Sequence, residues 1–481
     1  AGDERDLEEW MPEFTYHGFR YVEVTGLAAL EPEDIRAVAL HTDIQKRSSF
    51  TCGSAMLNAI QQNLLMTEKD NLHSILTDCP QRDERLGWTG DAQVSIRAIT
   101  CTFNGKRFFS KWLRDMAAEQ RGDGAVSHFV PNVGLFTKDP ALFCGGSAWA
   151  DAAVICPWQL YQAYGDKALL REHLPMMQKW VEYVCRAAGD SCIWSTGHHY
   201  GDWLALDAGE GNYTGASRKE FIATAFYAHS AQLLAQAMDA LDMDGAAYHR
   251  LFETIRAAHQ NAFPDCRTQT ECALALHFGL AAAPDRVAAQ LAELVRCNGN
   301  RLTTGFVGTP YLLHALSENG YAQTAYDLLL QTKAPSWLFS VKMGATTVWE
   351  HWDSRKADGS FWSTDMNSFN HHAYGAVADW LYAAAGGIRP GKPGYETVLF
   401  SPIPNRRLQR FEVVVNTPHG KVCSCWKWNG PTVTYVLTTP VSAEIRLGGE
   451  QHNVAAGTYT FVRGGYDKSP YEAKDFLNVR R

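Results

Sequence analysis

Apolar side chains recur at helical spacing from residue 53 to residue 385, and this run limits the possible folds more than any other feature of the chain. It divides into twelve segments: 53–73, 91–103, 107–121, 147–164, 167–186, 218–241, 244–262, 269–281, 284–298, 309–318, 320–331 and 367–385. Three joints are tight glycine turns, Phe103-Asn-Gly-Lys106, Tyr164-Gly-Asp-Lys167 and Glu318-Asn-Gly-Tyr321, which fold neighbouring helices into hairpins. Twelve helices in six antiparallel pairs predict an (α/α)6 barrel. Inner helices of such a barrel are apolar all round, as 218–241 and 367–385 nearly are. Four connections, 77–90, 122–146, 187–217 and 332–366, are long for mere joints and hold most of the notable acidic and aromatic residues.

The flanks follow a different period. Residues 14–25 are rich in β-branched and aromatic types, and 35–41 alternate, so 13–45 read as strands. Two or three strands cannot bury a sheet face alone. They must pack on the helical domain or end a β-domain that starts earlier. Beyond Pro390 come short alternating runs at 397–400, 410–415, 422–428, 432–437, 443–447 and 457–462, which predict an antiparallel β-sandwich. The expected organisation is therefore mainly α: an N-terminal β segment over 1–49, the (α/α)6 barrel over 50–386 and a C-terminal β-sandwich over 387–481. The last fifteen residues are polar and are expected to be loose.

A net charge of −8, with no Lys/Arg run longer than two, argues against nucleic acid or an anionic membrane as partner. No apolar stretch reaches the roughly 18–20 residues of a membrane span. The acidic N-terminus carries no leader-like apolar core, so a cytoplasmic location is the expectation. The twelve cysteines lack metal-ligand spacing and read as free thiols. The pairs His198-His199 and His371-His372 are adjacent rather than four apart, and no glycine-rich phosphate loop precedes a helix, so neither metal nor cofactor is expected. Fifteen tryptophans are many for this length and suit stacking platforms for sugars, although core packing is the plainer reading of each.

The segment Thr77-Asp-Cys-Pro-Gln-Arg-Asp-Glu-Arg-Leu-Gly-Trp-Thr-Gly-Asp-Ala-Gln93 packs four carboxylates, two arginines and a tryptophan into a broken stretch. That mixture suits a pocket for a polyhydroxylated ligand. Sugar hydrolysis needs two carboxyl groups flanking the bond. Context narrows the acids to Glu84, between Arg82 and Arg85, and Glu350, boxed by Trp349, His351 and Trp352. A loop salt bridge for Glu84 and a polar strand position for Glu350 are the alternatives. Asp91 sits where a helix opens, and reads as a partner of the helix dipole.

The same segment resembles the motif of the bacterial and fungal α-L-rhamnosidases of glycoside hydrolase family 78. Tyr200-Gly-Asp-Trp-Leu204, Thr268-Gln-Thr270 with Ala273-Leu-Ala-Leu276, Thr346-Thr-Val-Trp-Glu-His-Trp352 and Met366-Asn-Ser-Phe-Asn-His-His-Ala-Tyr-Gly375 resemble that family in the same order. The likeness runs from about residue 13 to beyond 400. It implies an inverting glycosidase with Glu84 as general acid and Glu350 as general base. It also implies rhamnose contacts from Asp78, Arg82, Trp88, Trp203, Trp337 and His371, with His372 as the alternative histidine. Asp202 is either a sugar ligand or a loop anchor. The implied partner is a rhamnosylated small molecule or oligosaccharide. A rhamnose–glucuronate lyase on the same scaffold and a catalytically silent sugar-binding protein are the competing readings. Retention of both glutamates argues against each.

Overall fold

The computed structural model describes residues 9–464, apart from 20, 135–139 and 210. Its helices are α1 (Ala55–Asn71), α2 (Thr89–Thr102), α3 (Lys106–Glu119), α4 (Ala152–Tyr164), α5 (Lys167–Ala188), α6 (Lys219–Ala240), α7 (Ala246–Ala262), α8 (Gln269–His277), α9 (Pro284–Cys297), α10 (Thr309–Glu318), α11 (Ala322–Leu329), α12 (Trp337–Lys342) and α13 (Val377–Trp380). A 3-10 turn leads into α13 and a π turn, Leu381–Ala385, continues it. Helices α2, α4, α6, α8, α10 and α13 each touch the next, and α13 returns to α2. These six form the inner ring of the barrel. Their character follows position: α6 is buried on nearly every side, while the outer α3 buries one stripe, Phe108, Phe109, Trp112, Leu113 and Met116.

Each inner helix is preceded by a connection on one rim, and these connections meet there. Asp202, ahead of α6, bonds Thr270 of α8 and the backbone ahead of α10. Tyr374, ahead of α13, donates to the Leu204 carbonyl at 3.1 Å. The long segments expected to carry function therefore converge over the N-terminal ends of the inner helices. Among the described residues, no helix is long and apolar enough to cross a membrane.

At the opposite rim lie two sheets. Strands β1 (Ser48–Cys52), β6 (Arg410–Thr417), β7 (Gly420–Asn429), β8 (Thr432–Thr439) and β11 (Gly457–Arg463) form one, in the order β1-β6-β7-β8-β11. Strands β4 (Ile388–Lys392), β5 (Thr397–Phe400), β9 (Ala443–Leu447) and β10 (Glu450–Val454) form the other, in the order β10-β9-β5-β4. The two-residue strands β2 (Leu72–His73) and β3 (Ile75–Leu76) make a small ribbon after α1. Among the described residues all strand pairings are antiparallel except β5 with β9, which is parallel, so the second sheet is mixed. Phe411, Val413, Val415, Trp426, Val433, Tyr435 and Leu437 point inward by strand alternation and build this core.

Three expectations are corrected. The strands expected within 13–45 do not form among the described residues there; Phe14, Tyr21, Val22, Val38 and Leu40 are exposed, with no partner strand to cover them. The N-terminal strand is instead β1, and it pairs with β6 of the C-terminal sheet. The helix expected over 367–385 begins only at Ala373, because backbone donors before it serve the site. Within the expected loop 332–366, Ser336 caps the short α12 by accepting the Phe339 N–H. The tail expected to be loose, 467–481, lies outside the described residues.

Candidate active site

Arg82 organises the pocket. Its guanidinium pairs with Oε2 of Glu350 and lies 3.7 Å from Oε1 of Glu84. One planar fork thus reaches both glutamates, although they stand far apart in the chain. Glu84 is partly exposed and accepts the Trp88 Nε1–H at 3.2 Å. Glu350 is buried, and its Oε2 also accepts the Ser368 N–H at 2.7 Å. The Glu350 N–H in turn donates to the Ser368 carbonyl at 2.9 Å. Among the described residues both donors to the carboxylate use Oε2, which leaves Oε1 for a ligand or water.

Asp78 lies beneath this pair, wholly buried. It accepts the Leu86 N–H at 3.2 Å and the Cys79 thiol at 2.9 Å. Burial, reinforced by the neighbouring Glu84 charge, pushes its carboxyl well above the usual carboxylate range. His371 is also buried, and its Nε2 is 3.2 Å from Oδ1 of Asp91. Burial pulls this imidazole down, but the Asp91 carboxylate, with Glu350 and Asp78 behind it, raises it above its ordinary value. The Ala373 N–H faces Nδ1 at a long 3.3 Å, so that is the contact released when the ring takes up a second proton. His372 points away to the Ser95 hydroxyl at 2.8 Å, and burial lowers it to about 4. The structure therefore places His371, rather than His372, among the acids.

An aromatic arc closes the other side. Trp88 meets Tyr200 at 6.3 Å between ring centroids, and Tyr200 meets Trp203 at 5.8 Å. Trp203 meets Tyr213 at 5.4 Å, Tyr213 meets Trp362 at 5.8 Å, and Trp362 stacks on His351 at 3.9 Å. The arc begins at the residue bonded to Glu84 and ends at the neighbour of Glu350. Such a wall suits the C–H faces of a sugar.

Asp202 supports the arc from below. It is buried and accepts the N–H groups of Gly305, Val307 and Gly308 at 2.9, 2.9 and 3.1 Å, and also the Thr270 hydroxyl. Burial pushes it up to about 6 against the pull of these bonds. All its lone pairs are committed, three to the loop before α10 and one to Thr270 of α8, so it is the anchor of the Trp203 loop. Gly308 permits that close approach; a Cβ there would meet the Thr270 hydroxyl at 2.3 Å.

The structure brings together Glu84, Glu350, Asp78, Arg82, Trp88, Trp203 and His371. Trp337 is the correction: it is buried behind the arc, donates to the Tyr374 carbonyl at 2.9 Å and packs edge-on to Trp352 at 5.1 Å. Its place is in the core, with Val348 and Trp349 around a small cavity. Asp83 is fully solvated, and Arg85 turns to the Tyr16 carbonyl and ring. Asp91, Tyr200, Tyr213, Trp362 and Ser368 join the pocket without having been assigned to it from sequence. For Asp91 the signal was its place in the first turn of α2; Tyr200 and Ser368 lie in stretches that resemble the family but were given no role there, and no local pattern marked Tyr213 or Trp362. Among the described residues, no group of three or more His, Cys, Asp or Glu is arranged to hold a metal ion.

The family model of the bacterial α-L-rhamnosidase six-hairpin glycosidase domain matches residues 45–385. The chain belongs to this family. Residues 387–458 match the C-terminal domain of the bacterial α-L-rhamnosidases, and residues 1–41 match their concanavalin-like domain. An α-L-rhamnosidase of Streptomyces avermitilis is 37% identical over 470 residues, which is 95% of this chain and 44% of that protein. One of Formosa agariphila is 37% identical over 457 residues, 91% of this chain and 48% of that protein. The chain thus spans less than half the length of these curated relatives. The crystal structure of the Streptomyces avermitilis enzyme complexed with L-rhamnose superposes with a TM-score of 0.81 at 34% identity, covering 88% of this chain and 43% of that one.

Proposed function

We propose that this site hydrolyses terminal α-linked L-rhamnosides with inversion at the anomeric carbon. The observation that carries the reading is the single Arg82 fork spanning Glu84 and Glu350, with an aromatic arc joining the same two residues. Glu84, at the open edge, delivers a proton to the leaving oxygen. Asp78 beside it is held well above the usual carboxylate range by burial and by the adjacent Glu84 carboxyl. Glu350 takes a proton from water through its free Oε1 as that water adds to the anomeric carbon. The C–O bond to the leaving group breaks, and its electron pair stays on the protonated oxygen. In inverting enzymes the two carboxyl groups stand about 6.5–9.5 Å apart to admit the water. The arc supplies an apolar wall for the methyl group of a 6-deoxy sugar.

The full length of the relatives exceeds this chain, so the test uses the chain as it stands. 4-Nitrophenyl α-L-rhamnoside is the substrate, and the first-formed anomer of rhamnose is followed by NMR. Release of β-L-rhamnose is expected. Release of the α-anomer overturns inversion, and an unsaturated uronate from a rhamnose–glucuronate substrate, with no rhamnoside hydrolysis, overturns the hydrolase reading.

A further inference from the structure

Tyr200 stands at the centre of the aromatic arc, against Trp149 at 4.4 Å as well as Trp88 and Trp203. Its phenol oxygen is 3.0 Å from Nδ1 of His128, which is buried behind it. The other ring nitrogen of His128, Nε2, receives the Gly146 N–H at 2.8 Å. A backbone N–H can only donate, so Nε2 is unprotonated and presents its lone pair. The ring is also neutral: burial, with His198 and His199 adding to it, lowers it to about 3. Its one remaining proton is therefore on Nδ1, and Nδ1–H donates to the Tyr200 oxygen. Glycine at 146 is what allows this contact, since a Cβ there would meet Nε2 at 2.7 Å.

The consequence falls on Tyr200. Its oxygen is an acceptor toward His128, so its own O–H must point elsewhere. Among the described residues, Tyr200 makes no other side-chain hydrogen bond. Burial pushes the phenol up, with the charge of Asp91 adding to it, so it keeps its proton. Asp91 is the carboxylate bonded to His371 in the charged half of the pocket.

We propose that Tyr200 recognises a hydroxyl of the bound sugar, donating to it the O–H that His128 leaves free, and that His128 is the residue that positions it. The inference rests on the rhamnoside reading of the pocket and adds a recognition residue to it. Phenylalanine at 200 keeps the ring and removes only the donor. At His128, asparagine keeps a side-chain N–H where Nδ1–H lies, and leucine does not.

The experiment measures L-rhamnose binding by calorimetry, and hydrolysis of 4-nitrophenyl α-L-rhamnoside and its 2-, 3- and 4-deoxy analogues. Tyr200→Phe is expected to raise KM and the rhamnose Kd about tenfold, the scale of one neutral hydrogen bond in a desolvated site, with a smaller change in kcat. One deoxy analogue should be cleaved equally by wild type and Tyr200→Phe, because its partner hydroxyl is already missing. His128→Leu should reproduce the loss and His128→Asn should restore most of it, with unfolding midpoints confirming that each variant folds. A Tyr200→Phe protein within twofold of wild type, or one whose loss is the same on every deoxy analogue, overturns the inference while leaving the rhamnosidase reading intact. A wild type that neither binds rhamnose nor cleaves any rhamnoside overturns both. A wild type that binds rhamnose without cleaving is judged on Kd alone, and an unchanged Kd in Tyr200→Phe overturns the inference.

Discussion

Arg82 makes the two glutamates into one unit, and variants at this scale test their separate roles. Replacing Glu84 by Gln, or Glu350 by Gln, should each lower kcat by at least about 10²-fold, the low end for general acid–base catalysis. Rhamnose binding should survive in both, because a carboxamide fills the same space and the arc is untouched. Single-turnover rates and calorimetry on folded protein decide it; near-normal rates in both variants would remove the assigned roles. These two residues stood out in the sequence because few acids sit amid such dense charge or such dense aromatics. Asp78, Arg82, Trp88, Trp203 and His371 followed from motif likeness. Trp337 did not fit, since a tryptophan in a loop reads the same whether it faces a pocket or a core. Tyr200, quoted only as the first residue of a motif, and Trp362 were given no role for the converse reason: their place in the arc depends on neighbours far along the chain.

Among the elements, α1 and α2 meet over a buried acid. Glu68 of α1 accepts the Thr102 hydroxyl at 2.5 Å, and burial raises its carboxyl from 4.5 to about 8. A carboxyl raised on folding holds its proton more tightly in the native state. The stability it contributes is complete below about pH 4.5 and drains away as pH climbs toward about 8. Urea unfolding at pH 5, 6, 7 and 8 should show wild type losing on the order of 1 kcal/mol per pH unit from this group. Glu68→Gln cannot ionise and should show a shallower decline; equal slopes would mean Glu68 is not the titrating group. Helical period and glycine turns made most of these helices legible, since α10 and α5 start where the pattern starts. The start of the helix near 373 was not legible. Ser368 spends its N–H on Glu350 and its hydroxyl on Gln81 and the Asn370 N–H, so tertiary demands hold that stretch out of the helix.

At the scale of the molecule, barrel and sheet are locked by Arg47, just before β1. Its guanidinium donates to the carbonyls of Thr100 at 2.8 Å, Ala163 at 3.1 Å and Asn416 at 3.0 Å, beneath the rings of Tyr164 and Tyr395. The first two carbonyls end α2 and α4, where the helix dipoles favour a cation. Removing a buried charged donor costs about 1.5–3 kcal/mol for the bonds and strands three carbonyls. Arg47→Met should therefore lower the stability by at least about 2 kcal/mol, and separate the unfolding of sheet and barrel into two calorimetric transitions. A single transition at the wild-type midpoint would show that the lock lies elsewhere. Because this junction sits at the rim opposite the site, near-native rhamnoside turnover is expected in the folded variant. What the sequence determined by itself is what depends on local period and residue type: helices paired by glycine turns, alternating strands after them, and acids gathered in long connections. Tertiary structure alone decided which strand completes the C-terminal sheet, which loops meet over the inner helices, and which tryptophan faces the pocket. Those outcomes depend on contacts between residues hundreds of positions apart, and no local pattern encodes the partner.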